Sequence, residues 1–339
     1  MIKRYIFLVS CLALLYFCQK KLPVIHPVIK TEKVPHDSDD PAIWVNKAHP
    51  EQSIVFGTDK DLENGGVYAF DLSGKILKDK SIIGLSYPNN IDVEYGFKLS
   101  DSTQTDILVF TEREKHQIRV FALPDMKAID RGGFKVFEDE SQNEMKRPMG
   151  VSLYKNPKTE NISIIVSRKK GPKDGYLHQY KLFSDTAGVV KTQLIRKFGT
   201  FSGNKEIEAI AVDDKLGYVY YSDEGVGIRK YYANPLDGNK ELSVFGSQYF
   251  KDDIEGIAIV DINKEEGYII VSNQQDNSFN IFSRKTDQYI KKLNLGTSKT
   301  DGCEAVSVSL GKKFPKGLLV TMNDKQNFFF HSLDSLPLN

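Results

Sequence analysis

Short runs of apolar residues, rich in Val, Ile, Tyr and Phe, recur along the chain and are separated by polar turns containing Gly, Asp, Asn and Lys. This pattern is typical of β-strands of about four to eight residues, and no long apolar stripe of helical period accompanies it. The repeated unit is two strands joined by a polar turn and followed by a third strand. It occurs six times, about 47–59 residues apart, with first strands predicted at 41–45, 90–95, 149–154, 208–212, 255–260 and 304–308.

Six units with the same internal order predict an all-β fold, a six-bladed β-propeller in which a more variable fourth strand completes each blade. A β-sandwich also contains many short strands, but the matching order of the units favours the propeller. We therefore predict a single propeller domain over residues 36–335, preceded by a linker at 19–35. The second strands are predicted at 53–57, 106–110, 163–166, 217–221, 267–271 and 317–320, and the third strands at 67–70, 117–121, 176–180, 228–232, 279–282 and 328–331.

The amino terminus has a different pattern. A start with two basic residues is followed by apolar residues 5–18 and then by polar sequence. The apolar run is shorter than the about 20 residues that span a membrane, so residues 1–18 are predicted to be a signal peptide, with lipidation at Cys18 or plain cleavage nearby. The protein is then expected to be exported, either as an outer-membrane lipoprotein or to the periplasm or medium. Membrane contact is expected only through the lipid. Because Cys303 is the one cysteine that follows the predicted signal peptide, no internal disulfide is expected.

Charged residues gather where first strands begin and second strands end. In an antiparallel pair these two places lie at the same edge, so in a propeller all of them face one side of the disc. The early units contribute the cations Lys60, Arg113 and Lys169, whereas the later units contribute mostly carboxylates. The candidate oxygen donors are Asp39, Asp40, Asn90, Glu208, Glu224, Asp253, Glu255, Gln274 and Asp301.

This donor set indicates a particular chemistry. Clustered carboxylates repel one another unless a cation neutralises them, and a set of about six to eight flexible oxygens without His or Cys suits Ca²⁺ better than Mg²⁺. Lys and Arg on the opposite side are the usual partners of phosphate oxygens. No Ser-His-Asp arrangement, phosphate-binding Gly-rich loop or catalytic Cys competes for the role. The formal net charge of +1, from 46 Lys and Arg against 45 Asp and Glu, gives no reason to expect nucleic acid as a partner.

Several ordered motifs then resemble one known family. His36-Asp-Ser-Asp-Asp-Pro-Ala-Ile-Trp44 is the most specific, and Gly57-Thr-Asp-Lys60, Asn89-Asn-Ile-Asp92, Ser222-Asp-Glu224 and Thr300-Asp-Gly302 follow in order. Together they resemble the β-propeller phytases, the bacterial 3-phytase family, over about residues 32–330. The resemblance implies a monomeric phosphoric monoester hydrolase that acts on the calcium complex of phytate (myo-inositol hexakisphosphate) through calcium-activated water, with several Ca²⁺ ions and no covalent intermediate.

The resemblance also implies roles for individual residues. Asp39, Glu208, Glu255 and Asp301 would surround the cleavage site, and Glu224, Asp253 and Gln274 would complete the calcium coordination. Asp40 would bind a further calcium near Asn90 and Ile91, while Lys60, Arg113 and Lys169 would bind substrate phosphates. Met149 departs from the family pattern, because a phosphate-contacting tyrosine is usual there. Two alternatives stay open: a lactonase-like calcium propeller hydrolase, and a non-catalytic surface propeller that binds calcium or phytate.

Overall fold

The computed structural model of the chain describes residues 22–338. The predicted signal peptide, Cys18 and the first residues of the predicted linker lie outside this range. Within it, the chain forms 25 strands and one four-residue α-helix, α1 (Asn143–Lys146). Single 3-10 turns occur at Pro50–Gln52, Lys78–Lys80, Arg113–Lys115, Pro235–Asp237, Ser247–Tyr249, Gln274–Asp276 and Leu333–Ser335. No helix in this part of the chain has the length and apolar character needed to cross a membrane.

The strands form six antiparallel sheets, each a blade, and the sheets confirm the predicted six-bladed propeller. All six predicted first, second and third strands overlap observed strands. The first strand of the chain is β1 (Ile29–Lys30), which belongs to the last blade. From the centre outward, blade one contains β2 (Ser38–Trp44), β3 (Ile54–Asp59), β4 (Gly65–Phe70) and β5 (Ile82–Leu85), and blade two contains β6 (Pro88–Ser100), β7 (Thr103–Glu112), β8 (Gln117–Leu123), β9 (Lys127–Ala128) and β10 (Phe134–Lys135). Blade three contains β11 (Pro148–Lys155), β12 (Ile162–Arg168), β13 (Asp174–Ser184) and β14 (Val190–Thr200), and blade four contains β15 (Ile210–Asp213), β16 (Tyr218–Asp223), β17 (Gly227–Tyr232) and β18 (Ser243–Phe245). Blade five contains β19 (Ile257–Asp261), β20 (Gly267–Asn273), β21 (Ser278–Ser283) and β22 (Tyr289–Leu293), and blade six contains β23 (Cys303–Val306), β24 (Leu318–Asn323), β25 (Asn327–Ser332) and, at its outer edge, β1.

Apolar side chains hold neighbouring blades together. Because side chains alternate along a strand, one face of each blade packs on the preceding blade and the other on the following one. In blade six, Phe328 and Phe330 pack with blade one, whereas Leu319 packs with blade five. The described residues contain six such apolar clusters, one between each pair of adjacent blades. The inner strands contact one another around the whole ring, and β2 meets β23 where it closes.

The amino-terminal segment closes the ring. Strand β1 pairs antiparallel with β25, and the backbone N–H groups of Val28, Thr31 and Val34 donate to blade six at 2.8, 2.9 and 2.8 Å. Residues 29–34, which the sequence pattern predicts to be part of the linker, thus form the outer edge of the sixth blade. One blade is therefore built from both ends of the domain, so it cannot complete its sheet unless the ring is closed.

The starts of the first strands and the ends of the second strands share one edge of the disc, called here the upper rim. Strand register shows this in the first three blades, where Ser38 is opposite Asp59, Pro88 is opposite Glu112, and Pro148 is opposite Arg168. The loops that follow these second strands therefore lie beside the segments that lead into the first strands.

Candidate active site

Lys60 lies at the centre of an acidic group on the upper rim. Its Nζ is 3.0 Å from Asp39 Oδ1 and 3.0 Å from Asp301 Oδ2, so blades one and six meet at this ammonium. The Lys60 side chain is only 14% exposed. Burial opposes its charge, but the carboxylates Asp39 and Asp301 hold the pKa of Lys60 well above its usual value. The side chain that we predicted to bind phosphate therefore forms a salt bridge with two predicted metal ligands.

The carboxyl groups around Lys60 are crowded and poorly solvated. Burial raises the pKa of Asp39 to about 8, against the attraction of Lys60, and Glu208 and Asp301 add repulsion. Burial followed by repulsion from Asp253 and Glu208 raises the pKa of Glu224 to about 8. The pKa of Glu255 is raised well above its usual value by burial and by Glu208 and Glu224. These shifts mean that one lysine does not balance the negative charge that the rim holds.

Glycines allow the acidic segments of neighbouring blades to approach closely. A Cβ on Gly150 in β11 would lie 1.8 Å from the backbone oxygen of Glu208 in blade four. A Cβ on Gly256 would lie 2.7 Å from the backbone oxygen of Asp301, and one on Gly302 would lie 2.2 Å from Asp40 Oδ1. Such distances exclude any side chain, so these glycines set how tightly successive carboxylates pack around the ring.

Asn89 connects the acidic and basic parts of the rim. Its Nδ2 donates to Glu208 Oε1 at 2.5 Å and to Asn90 Oδ1 at 2.8 Å, while its Oδ1 accepts from the Arg113 guanidinium. The Arg113 Cζ lies 4.2 Å from the centroid of the Tyr87 ring. The structure thus brings predicted residues Glu208, Asn90 and Arg113 into one hydrogen-bonded group.

Blade five contributes two glutamines to the acidic group. Gln274 Nε2 donates to Asp301 Oδ1 at 2.6 Å, and Gln275 Nε2 donates to Gln274 Oε1 at 2.6 Å. Gln275 also donates to Asp253, whose other oxygen is bound by Lys205. Gln274 therefore lies beside Asp301, whereas Asp253 is connected to the same group through Gln275.

Asp40 forms a second acidic position next to the first. Its Oδ2 accepts a hydrogen bond of 3.1 Å from the backbone N–H of Ile91. Burial, followed by repulsion from Asp39, raises the pKa of Asp40 well above its usual value despite this bond. The structure therefore brings Asp40 and Ile91 together, as expected, between blades one and two.

Lys169 and Met149 differ from the residues above. Lys169 forms an ion pair with Glu206, not with any predicted calcium ligand. Glu206 in turn accepts a backbone hydrogen bond of 3.3 Å from Glu224, so Lys169 lies at the margin of the acidic group. Met149 is buried, and its backbone oxygen accepts from Thr111 at 2.8 Å.

Comparison with known proteins identifies the family. A sequence model of the family described as Phytase matches residues 13–328, which is most of the chain. The chain belongs to the phytase family. It is also similar to a 3-phytase of Bacillus subtilis (strain 168), with 30% identity over 301 residues that cover 84% of this chain and 74% of that protein. Family membership and the observed propeller agree with the resemblance that the motifs indicate.

The family resemblance implies calcium, and the residues of the rim fit such an ion. Asp39 is 1% exposed, and its Oδ2 is a buried oxygen without any hydrogen-bond partner. The carboxylates of Glu208 and Asp301 lie near it, Gln274 contacts Asp301, and neither His nor Cys is in this group, which is the donor set of a hard cation. Among residues 22–338, no three His, Cys, Asp or Glu side chains are already grouped closely enough to hold one metal ion. The Lys60 ammonium lies between Asp39 and Asp301, where a shared cation would have to bind.

No individual role was predicted from the sequence for several contributing residues. Gln275, Lys205 and Glu206 contact predicted ligands or cations, and Asn89 connects Glu208 with Arg113. The sequence does place all four next to predicted strand ends. Their main partners, however, lie in other loops or other blades, and no local pattern specifies those pairings.

Proposed function

We propose that the protein is a calcium-dependent phytase that hydrolyses phosphomonoesters of phytate. The observation that carries the proposal is the convergence of Asp39, Glu208, Glu224, Glu255 and Asp301 on one rim, next to Arg113. Burying so many carboxylates is unfavourable without cations, and the raised pKa values of Asp39 and Glu224 express that cost. Membership of the phytase family supports the same reaction.

In this proposal the acidic group holds the metal. Asp39, Glu208, Glu255 and Asp301 would be the central ligands, with Glu224, Asp253 and Gln274 around them and a separate ion at Asp40, Asn90 and Ile91. Bound calcium would polarise the phosphoryl group, activate the attacking water and offset the charge that develops on phosphate. No side chain needs to form a covalent bond with phosphate.

The cations of the rim would bind the substrate. Arg113 is oriented by the Tyr87 ring and by Asn89, which prepares its remaining N–H groups for phosphate oxygens. Lys60 would turn from Asp39 and Asp301 toward phosphate once a metal neutralises those carboxylates. Lys169, at the margin, would contact a second phosphate of the same inositol ring. A rim with carboxylates and cations side by side suits a substrate that carries several phosphates and arrives with calcium.

The direct test is release of inorganic phosphate from phytate, measured with purified protein over a series of free calcium concentrations and in excess chelator. We expect release that requires calcium and falls to background in chelator. Absence of release at every calcium concentration would rule out the proposed reaction. Equilibrium binding of phytate without release would instead identify a non-catalytic binding propeller.

Two variants separate this reaction from that of a lactonase-like hydrolase. Arg113→Ala should weaken phytate hydrolysis, because it removes a phosphate donor that a lactone does not need. The matched control is Arg284→Ala, which removes another buried guanidinium, one that pairs with Asp213 at 2.5 Å and has no role in the proposed site. A lactonase-like hydrolase would be favoured if Arg113→Ala still hydrolyses a lactone and its phytate kinetics are unchanged.

A further inference from the structure

The Asn89 side chain contacts both a carboxylate and a guanidinium of the upper rim. It is fully buried in β6, with Glu208 of blade four on one side and Arg113 of blade two on the other. We propose that Asn89 is a positioning residue that fixes the Glu208 carboxylate and the Arg113 guanidinium relative to each other. In this way it would align the phosphate-binding side of the site with the metal-binding side. The inference rests on the proposed function of Glu208 and Arg113.

The chemistry of the three groups determines the orientation of the Asn89 amide. A guanidinium only donates hydrogen bonds, so the amide oxygen must face Arg113. The amide nitrogen then faces Glu208 Oε1 at 2.5 Å and Asn90 Oδ1 at 2.8 Å, both of which accept. The oxygen and both N–H groups of Asn89 thus have hydrogen-bond partners. A rotated amide would place its N–H groups against the Arg113 donors and its oxygen against the oxygens of Glu208 and Asn90.

Neither partner has a substitute for Asn89. Within residues 22–338, the Arg113 side chain makes no other hydrogen bond, and its buried Nε has no partner. In the same range, the Asn89 amide is the one hydrogen-bond donor to the Glu208 carboxylate. Loss of Asn89 would therefore leave the Glu208 carboxylate without a hydrogen-bond donor in this part of the chain, and would leave Arg113 held by the Tyr87 ring but by no hydrogen bond there.

Two substitutions divide this role into its parts. Asn89→Leu has a similar volume and removes both contacts. Asn89→Asp keeps an oxygen that accepts from Arg113 but cannot donate to Glu208. Asn280→Leu is the matched control, because Asn280 is also fully buried in a strand and its amide donates to the Tyr249 backbone oxygen at 2.9 Å in blade five. All three proteins are compared with wild type in phytate kinetics at saturating calcium, and in crystals.

The expected results differ between the variants. Asn89→Leu should lower kcat by about tenfold or more and raise KM, since both halves lose alignment. Asn89→Asp should lower kcat to a similar extent while KM stays within about twofold of wild type, because Arg113 is still held. Asn280→Leu should keep both constants within about twofold, which separates positioning from a general loss of packing.

The crystal structures give a readout that does not depend on catalysis. In Asn89→Asp, the Glu208 carboxylate should move by about 1 Å or more, a displacement large enough to impair catalysis. An unmoved Glu208 in this variant, or a kcat within about twofold of wild type, would overturn the inference even if phytate is the substrate. If wild type releases no phosphate, the proposed function fails and the position of Glu208 alone decides the role of Asn89. If Asn89→Leu does not fold, the nearly isosteric Asn89→Asp decides it.

Discussion

Replacement of Lys60 by methionine should make the metal-free protein less stable but make it bind calcium more tightly. The Lys60 ammonium now neutralises Asp39 and Asp301, with both N–O distances at 3.0 Å. A calcium ion shared by these carboxylates would have to displace the ammonium. Methionine retains the length of the side chain and removes the competing charge, so the two effects should have opposite signs.

The distances determine how much the stability and the calcium affinity should change. At 3.0 Å and an effective dielectric constant of about 20, each ion pair contributes about 5 kcal/mol of Coulomb energy, which the burial of the ammonium largely offsets. Removing one partner of such a buried pair costs about 3–5 kcal/mol. Protonation of Asp39, whose pKa is already about 8, limits that cost near neutral pH. We therefore expect the free energy of unfolding in chelator to fall by about 3 kcal/mol, and calcium affinity at about pH 8.5 to rise by about tenfold, or 1.4 kcal/mol.

Calorimetric calcium titration and urea unfolding in chelator measure these two quantities. Lys230→Met is the matched control, because Lys230 Nζ of blade four forms a buried ion pair with Asp287 of blade five at 2.9 Å. This control should lose stability without any change in calcium affinity. The reasoning is refuted if Lys60→Met binds calcium no more tightly than wild type while Lys230→Met behaves as described. An increase in KM for phytate in Lys60→Met would show that the same lysine also binds phosphate.

Three other predictions follow from the structure. The raised pKa values of Asp39 and Glu224, about 8 in each case, mean that the folded metal-free protein holds protons that the unfolded chain releases near pH 4. Its free energy of unfolding in chelator should therefore fall as the pH rises from about 4 to 8, and saturating calcium should flatten this dependence in urea titrations. Glu255→Gln should raise the melting temperature in chelator by relieving repulsion but lower phosphate release by about 100-fold, and a lower melting temperature would contradict the crowding argument. Deletion of residues 22–34 removes strand β1, the backbone hydrogen bonds that Val28, Thr31 and Val34 donate to blade six, and the buried Val34 side chain, so unfolding should become easier by about 4–6 kcal/mol, whereas a chain beginning at residue 22 should match the full-length protein.

The blades could be predicted because their determinants are local. Each strand carries its own alternation of apolar residues and its own turn residues, as in Gly217-Tyr-Val-Tyr-Tyr221. Strand β1 was missed for the opposite reason. Residues 22–33 contain Pro23 and Pro27 and several polar side chains, and the pairing of β1 with β25 joins positions about 300 residues apart. The residues around β1 contain no sequence signal that this segment pairs with β25 at the other end of the domain.

The location of the site could be predicted, but the pairing of its charges could not. The antiparallel order of the first two strands requires their loops to share a rim, so Asp39, Lys60 and Asp301 were expected on one side of the disc. Which cation meets which carboxylate depends on side-chain direction at the strand ends and on blade-to-blade spacing. Arg168 illustrates the point, since it ends a second strand like the candidate cations but turns inward and binds Glu140 at 2.5 Å.

The arrangement of lysines explains how so acidic a rim can form without metal. Lys60 pairs with Asp39 and Asp301, and Lys205 pairs with Asp253, so two of the most crowded regions of the rim contain a tethered cation. These ion pairs lower the repulsion in the metal-free ring, but none of the ion pairs within residues 22–338 includes Glu224 or Glu255. Burial, together with repulsion from neighbouring carboxylates, raises the pKa of both groups. The first divalent ions should therefore bind where charge is least compensated, near Glu224 and Glu255. Binding between Asp39 and Asp301 should follow, because it requires Lys60 to leave. Calcium loading in this order would free Lys60 last, at the stage when a phosphate group can accept it.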